Sequence, residues 1–316
     1  MAHSWMSHLK DKRLGEVWLP CSHNSATDRY SFLSEYLCES ILSLFSKRWD
    51  RCQNKTLYEQ LLLGIRAVDL RLFTDKNNVT WTCHGFVNQK LEKVICQVAC
   101  FLIDHPTEFV LILIKQGWLS LTRRHWEVNW LQVNKLIAKF DKSKSQSSDY
   151  FIEEVNSPSL TIRHKLSTDL FLSELAGSVA FVSEEENYRF GFRYHCRDLL
   201  IYNSWYQTNT SLPSELPKNL LNLISSLPAQ KPKNVLLWLN AHCTPTARLI
   251  VASYNYFVPN AYRSLYDLHR KSLSFVLHDF LQSDSIKNLD KIKIRGIISS
   301  DFVDEKFVNA VISLNF

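Results

Sequence analysis

The sequence predicts an α/β fold, a single (β/α)8 TIM-type barrel, and three observations support this fold class. Eight short strand-like runs, several of them almost continuously apolar, indicate parallel strands that are buried on both faces. Helix-like runs with apolar residues at three-to-four spacing lie between them. The chain has only seven glycines, and it lacks the glycine-rich phosphate loop that open doubly wound sheets carry. We therefore expect one domain over residues 1–316, either a closed barrel or one that is distorted and incompletely closed.

The predicted strands and helices alternate along the chain, as they do in parallel α/β folds. The predicted strands cover residues 16–20, 67–72, 79–83, 109–115, 179–183, 199–203, 235–240 and 292–301. Amphipathic helix patterns cover residues 87–103, 125–142 and 261–281. The chain shows no internal repeat and no linker between independent domains, which favours a single barrel.

Composition and charge limit the classes of function. The chain is 46% hydrophobic, 12% aromatic and 22% charged, which is typical of a folded globular protein. A formal net charge of +6 suits an anionic substrate or an acidic membrane surface. Because there is no run rich in lysine and arginine, we do not expect nucleic acid as a partner.

The cysteines and the apolar runs indicate the compartment. Eight cysteines are scattered without a CxxC pair, which argues against a zinc ribbon or a thioredoxin-like site. The amino-terminal residues lack the apolar core of a signal peptide, and the longest apolar runs are too short to span a bilayer. We expect reduced thiols and a cytoplasmic protein that contacts membranes peripherally.

Ionisable residues follow the ends of several predicted strands. They are His23, Asp69, Arg71, His84, Lys115 and Asp301. Side chains alternate along a strand, so Asp69 and Arg71 share one face. Each residue alone has an ordinary interpretation, such as a buried histidine, an ion pair or a lysine reaching solvent. Together, at the strand ends where barrel enzymes carry their active sites, they predict an active site.

Five segments resemble, in order, the X domain of phosphatidylinositol-specific phospholipases C. They are LPCSHNSAT at 19–27, GIRAVDLR at 64–71, CHG at 83–85, HPTEFVLIL at 105–113 and IISSDFV at 297–303. Their order and spacing are most similar to the small, stand-alone X-domain-containing proteins of animals.

The resemblance implies cleavage of a phosphatidylinositol-type lipid by two histidines. It makes His23 the general base, oriented by Asp301, and His84 the general acid that protonates the diacylglycerol oxygen. Attack by the inositol 2-hydroxyl gives a cyclic inositol phosphate, which water can later open. Imidazole titrates near pH ~6.5, so it suits either proton role.

The same resemblance assigns the charged residues of the second strand and its neighbour. Arg71 holds a non-bridging phosphoryl oxygen bidentately. Asp69 positions Arg71 or the 2-hydroxyl, and Lys115 contacts the inositol or its phosphate.

Arg71 and Asn24 bear on the metal. Calcium-dependent members carry two acids where this chain has Asp69 and Arg71, and the arginine repels a cation. Asn24 stands where metal-independent members carry an aspartate that supports the second histidine. Its amide can hydrogen-bond His84 but cannot stabilise an imidazolium by charge. Calcium-dependent members also have an asparagine here. The resemblance implies no cofactor, with calcium as the disfavoured alternative.

Aromatic residues after two predicted strands suggest how a membrane is approached. Trp205 and Tyr206 follow one strand, and an aromatic run at 254–262 follows another. Rings of this kind favour membrane interfaces, although they also pack over a barrel mouth. We expect a phosphatidylinositol-type headgroup and transient membrane contact as partners; the oligomeric state stays open.

Two alternatives remain at this point. One is a metal-dependent barrel glycerophosphodiesterase, which needs a cluster of carboxylate ligands. The other is a catalytically weak phosphoinositide-binding module, which the asparagine at position 24 favours.

Overall fold

The computed structural model describes residues 2–31, 48–117, 127–142, 158–183, 199–203, 205–227, 234–254, 262–283 and 295–316. Its strands are β1 (Leu19–Ser22), β2 (Ala67–Thr74), β3 (Thr80–His84), β4 (Phe86–Lys90), β5 (Phe109–Gln116), β6 (Thr161–Ile162), β7 (Ser178–Ser183), β8 (Leu200–Asn203), β9 (Val235–Asn240) and β10 (Gly296–Ser300). Its α-helices are α1 (Leu57–Leu63), α2 (Leu91–Asp104), α3 (Trp130–Lys139), α4 (Leu172–Leu175), α5 (Trp205–Thr208), α6 (Leu216–Ser226), α7 (Ala247–Tyr254), α8 (Leu265–Leu268), α9 (Ser274–Gln282) and α10 (Glu305–Ser313).

The strands form one curled sheet in which eight neighbours run parallel. Their order is β6-β7-β5-β2-β1-β10-β9-β8. The end strands β6 and β8 do not pair with each other within the described residues, so the barrel is incompletely closed there. The predicted fold class, a barrel that allows for distortion or incomplete closure, is confirmed.

Burial explains why the central strands form. Phe109 to Ile114 in β5 are all completely buried, because this strand lies between β2 and β7 with both faces covered.

Helix α1 begins at a capping box formed by Thr56 and Glu59. It ends at Gly64, whose φ of 114° places it in the left-handed region that terminates helices.

The structure corrects the predicted elements around residue 85. The helix predicted at 87–103 begins later, at Leu91, because residues 86–90 form β4. Gly85, with a φ of 63°, reverses the chain so that β4 pairs antiparallel with β3. The strand predicted at 79–83 is therefore real but belongs to a hairpin, since β3 pairs antiparallel with β2 rather than within the parallel barrel.

Other boundaries differ less. The two-residue strand β6 was not predicted, because a run this short carries no periodicity. The pattern at 261–281 corresponds to α8, a π-helical turn at His269–Leu273 and α9. Among the described residues no helix is both long and apolar enough to cross a bilayer. The six cysteines that the structure describes are free thiols, in agreement with the prediction.

Candidate active site

His23 and Asp301 come together because their strands are neighbours. Strands β1 and β10 pair in parallel with Ser22 opposite Ser300, so the next residue of each lies at the same edge. His23 Nδ1 is 2.8 Å from Asp301 Oδ1. The backbone of His23 is also held, since Gln53 Nε2 donates to its carbonyl at 2.8 Å. His23 is 8% exposed and Asp301 1%, so the pair is fixed in the floor of the site.

Asn24 contacts the first histidine. Its φ of 44° turns the chain so that its Nδ2 lies 3.0 Å from His23 Nε2. The same Nδ2 donates to Cys52 Sγ at 3.5 Å, and the backbone N–H donates to Asp69 Oδ2 at 3.2 Å. The expectation that this amide supports His84 is therefore wrong: its hydrogen bonds go to His23 and Cys52.

His84 faces His23 from the end of the β3–β4 hairpin. The two ring centroids are 5.9 Å apart, and the rings are nearly perpendicular at 72°. His84 Nδ1 lies 2.7 Å from the carbonyl of Asp50 and 3.6 Å from Cys52 Sγ. A carbonyl only accepts, so Nδ1 carries the proton that it receives, and Nε2 is the nitrogen left for chemistry.

Asp69, Arg71 and Lys115 form the charged wall on β2 and β5. Asp69 is completely buried, and its Oδ2 is 4.0 Å from His23 Nε2. Arg71 Nε lies 3.6 Å from Asp69 Oδ1, beyond hydrogen-bond distance, and the Arg71 side chain is 21% exposed. Lys115 is opposite Arg71 in the sheet register, with Nζ 4.2 Å from the centroid of the Trp238 ring. The predicted alternation of Asp69 and Arg71 thus puts both at the site.

Burial and charge set the protonation of these groups. Burial lowers the pKa of His23 to about 3 and that of His84 to about 4, so both imidazoles are neutral at pH 7. Burial alone favours the neutral acid at Asp69, but Arg71 and Lys115 outweigh it and lower its pKa to about 2. Burial raises the pKa of Asp301, with histidines opposing the shift.

His242 is a site residue that the sequence analysis missed. Its ring is stacked on that of His23, with centroids 3.7 Å apart and an angle of 9°. It is 3% exposed, and its Nδ1 has no hydrogen-bond partner among the described residues. His242 follows the end of β9 by two residues, so the strand-end pattern that identified His23 and His84 would also have found it. Cys52 lies outside any strand, so the strand-end pattern could not have identified it.

The predicted aromatic rim is not tested. Trp205 and Tyr206 begin helix α5 directly after β8, as expected, but their side chains lie outside the described part of the structure. Most of the run at 254–262 also lies outside the described residues.

Two sets of possible metal ligands lie at the site within the described part of the chain. Asn24 Oδ1 and Asp69 Oδ1 have no hydrogen-bond partner among the described residues. Calcium takes six to eight oxygens, and Arg71 3.6 Å from Asp69 repels a cation, so this set does not fit calcium. His23, Cys52 and Asp301 offer donor atoms within 4.8 Å of one another, a nitrogen–sulfur–oxygen set closer to the preference of zinc.

Comparison with known proteins places this geometry in context. No family model matches the chain. The chain aligns with the variant-surface-glycoprotein phospholipase C of Trypanosoma brucei brucei at 29% identity over 134 aligned residues. This alignment covers 34% of the chain and 37% of the relative. It aligns with human PI-PLC X domain-containing protein 2 at 27% identity over 126 aligned residues. This alignment covers 34% of the chain and 41% of the relative. The matches thus span about two fifths of the length of these relatives.

The structural comparison extends over the whole chain. The phosphatidylinositol-specific phospholipase C of Listeria monocytogenes superposes with a TM-score of 0.60 at 20% identity, covering 100% of this chain and 99% of that one. The chain is therefore similar in sequence to a phospholipase C and to a PI-PLC X domain-containing protein over about a third of its length, and its described residues share the fold of a bacterial phosphatidylinositol-specific phospholipase C.

Proposed function

We propose that this protein cleaves phosphatidylinositol-type lipids as a phospholipase C, releasing diacylglycerol and a cyclic inositol phosphate. The observation that carries the proposal is the pair of histidines that face each other at 5.9 Å, one of them anchored by Asp301. An internal phosphodiester transfer needs a base on one side of phosphorus and an acid on the other. The similarity to phospholipases C in sequence and fold supports the same reaction.

His23 acts as the base in this proposal. Its Nδ1–H donates to Asp301, so Nε2 is the basic nitrogen and takes the proton of the inositol 2-hydroxyl. Asn24 Nδ2 donates to that nitrogen in the free protein, and the substrate hydroxyl replaces it. The buried Asp301 carboxylate then stabilises the imidazolium that forms.

His84 completes the transfer as the acid. The 2-oxygen bonds to phosphorus, the bond from phosphorus to the diacylglycerol oxygen breaks, and His84 Nε2–H protonates the departing oxygen. The Asp50 carbonyl on Nδ1 fixes the ring for this transfer. The proton balance requires His84 to enter the reaction protonated and to leave it neutral.

Arg71 and Lys115 supply the positive charge that the phosphoryl oxygens need. Among the described residues, the acid paired with Arg71 is Asp69, and its Oδ1 is 3.6 Å from Nε, too far for a hydrogen bond. The guanidinium can therefore bind the phosphate in a fork. Asp69 orients Arg71 and faces His23, while Lys115 contacts the inositol or its phosphate. The oxygen set does not fit calcium, and a cation on His23, Cys52 and Asp301 would occupy the base that the reaction needs, so we propose a metal-independent reaction.

The decisive experiment measures release of water-soluble inositol phosphate from phosphatidylinositol vesicles, in excess chelator and then with added calcium. Wild type is compared with His23→Ala and His84→Ala, and His105→Ala is the matched control because His105 lies outside the site. We expect cleavage in chelator that both site variants lose and the control retains. Activity only with calcium would overturn the role of Arg71.

A second candidate is a phosphoinositide-binding module with little turnover. It is favoured by the position of Asn24, which leaves His84 bonded to a backbone carbonyl and a thiol rather than to a carboxylate. This candidate expects vesicle binding without cleavage in either buffer. A cytoplasmic location with transient membrane contact is part of both proposals.

A further inference from the structure

A cleft beside the active site is lined by three arginines. The arginine cleft, defined by Arg48, Arg51 and Arg263 with the rings of Tyr30, Tyr266 and Phe302, has a volume of about 600 Å³. His23, His84 and Arg71 are not among its described lining residues. The described lining of the cleft therefore shares no residue with the set assigned to catalysis.

The arginines are arranged to hold an anion. Arg51 Nε donates to the carbonyl of Gln53 at 3.0 Å, and Arg263 Nη1 donates to the carbonyl of Ser253 at 2.7 Å. Both of these hydrogen bonds go to neutral carbonyls and hold the guanidinium in place without neutralising it, which reduces the entropy that ligand binding would cost. Arg48 is exposed at the rim. Guanidinium groups match the oxygens of a phosphate, so phosphate is the anion that suits them best.

Two acids near the cleft, Asp267 and Asp50, offset part of its positive charge. The Asp267 carboxylate lies 2.9 Å from Lys271 Nζ and accepts from the backbone N–H of Arg263. The Asp50 side chain packs beneath Gly85, and after burial its negative charge is the next cause that raises the pKa of Tyr30 in the cleft wall, so Asp50 offsets part of the positive charge there. The positive charge of the cleft is therefore only partly offset.

The aromatic wall adds an apolar surface. Tyr266 and Phe302 meet edge to face with centroids 5.0 Å apart, and Tyr266 is 45% exposed. A ligand with a phosphate and an adjoining carbon skeleton fits this combination better than an inorganic ion, because the rings bury carbon while the arginines bind oxygen.

The cleft shares its backbone with the active site. Arg51 lies between Asp50, whose carbonyl holds His84, and Cys52, whose thiol contacts Asn24. Phe302 follows Asp301 and donates its N–H to the Cys52 carbonyl at 2.7 Å. A ligand in the arginine cleft therefore lies one residue away, along the chain, from the groups that hold both histidines.

We propose that the arginine cleft binds a second organic phosphate, the headgroup phosphate of an anionic lipid beside the one being cleaved. That the phosphate comes from a lipid rests on the proposed function, whereas its binding by the cleft does not. Occupancy would fix the protein on an anionic membrane with its histidines beside the next substrate headgroup.

The test uses His84→Ala, so that binding is measured without turnover. Sedimentation is measured with phosphatidylcholine vesicles, alone or with about one fifth phosphatidic acid. The cleft variant adds Arg48→Gln, Arg51→Gln and Arg263→Gln, and the charge-matched control adds Lys10→Gln, Lys93→Gln and Lys135→Gln, three exposed lysines that do not line the cleft. We expect the cleft variant to lose affinity for the acidic vesicles on the order of tenfold or more, and the control to lose much less.

Several outcomes separate the possibilities. Equal losses in the cleft variant and the lysine control would overturn the proposal in favour of a general electrostatic attraction. Unchanged binding in both variants would overturn it as well. In a further arm, inorganic phosphate competes with the vesicles: release at low concentration would overturn the lipid assignment and make the cleft a site for free phosphate. If wild type fails to cleave phosphatidylinositol while the cleft variant still loses binding, the proposed function fails and the cleft proposal stands.

Discussion

Arg66 lies immediately before β2 and Arg71 lies within it, and the surroundings of the two guanidinium groups differ. Arg66 precedes β2 and is completely buried. Its guanidinium forms an ion pair with Glu108 at 2.7 Å and donates to three backbone carbonyls, those of Leu61, Ile65 and His3. Arg71, within β2, reaches its nearest acid at only 3.6 Å, and its Nε has no hydrogen-bond partner among the described residues.

The comparison distinguishes a structural arginine from one that can bind a ligand. A buried guanidinium whose donors are all used stabilises only the fold, because an anionic ligand has nothing left to accept from it. A partly exposed guanidinium with unused donors has lost water without full replacement, and a phosphate restores the missing hydrogen bonds. The same division holds for the two ends of the barrel: the end where β2 begins is sealed, and the end where β2 finishes is reactive.

The largest effect is expected at the reactive end, in the two histidines. Removing either should lower kcat/KM for phosphatidylinositol by a factor of about 10²–10⁴. A substrate with a nitrophenol leaving group needs little protonation, so His84→Ala should recover much of its activity on that substrate, whereas His23→Ala should not. Cleavage rates of the two substrates provide the measurement. Equal rescue of both variants would contradict the assignment of base and acid.

Arg71→Gln should lower kcat/KM by a factor on the order of 10²–10³, since one donor to the developing phosphoryl charge is lost. Its melting temperature should hardly change, because the ion pair that Arg71 makes within the described residues is a long one, at 3.6 Å from Asp69. Arg71→Lys is the control, because it keeps the positive charge but cannot bind two oxygens at once. Its kcat/KM should lie between that of wild type and that of Arg71→Gln. A large loss of stability in Arg71→Gln would contradict the comparison with Arg66.

Arg66→Met should show the reverse behaviour. It leaves Glu108 buried without its partner and should lower the free energy of unfolding by about 3–5 kcal/mol. Activity per folded molecule should stay near that of wild type. Urea unfolding measures the free energy of unfolding. Initial rates at urea concentrations below the unfolding transition measure the activity per folded molecule. The double variant Arg66→Met with Glu108→Leu should regain much of the stability; its failure to do so would refute the ion-pair explanation.

The kcat/KM of the wild-type protein should be highest at acidic pH. His23 must be neutral and His84 protonated, so activity rises with pH through the His23 pKa of about 3 and falls above the His84 pKa of about 4. Asn24→Asp places a carboxylate beside His23 and favours its imidazolium, so the rising limb should move up by about 1–3 pH units. Initial rates at graded pH, with circular dichroism to confirm folding, provide the check. A wild-type maximum near pH 7 would contradict the pKa values.

The smallest effect is expected at His242, which we propose is a positioning residue that fixes the ring plane of His23. His242→Ala should lower kcat up to about tenfold with little change in KM, since the loss is that of one ring contact. His242→Phe keeps a stacked ring and should restore most of kcat. Failure of phenylalanine to rescue activity would indicate that His242 acts through its nitrogens instead.

The sequence by itself determined the strand-end positions of His23, His84 and Asp301 and the shared face of Asp69 and Arg71. It could do so because strand side chains alternate and because parallel strands end at one edge of the sheet. The barrel fold was predicted from the alternation of apolar strand-like runs with amphipathic helices along the chain. Both predictions needed only local sequence patterns.

Only the tertiary structure decided which side chains meet. The stack of His242 on His23 depends on the strand order β1-β10-β9, which no local pattern encodes. Asn24 turns toward His23 because of its own left-handed backbone, and residues 86–90 become a strand because Gly85 reverses the chain, although Val87 and Leu91 suit a helix equally well. Arg66 and Arg71 look alike in sequence; burial and the position of Glu108 make one structural and leave the other able to bind phosphate, because packing between distant segments sets how many donors each guanidinium has left.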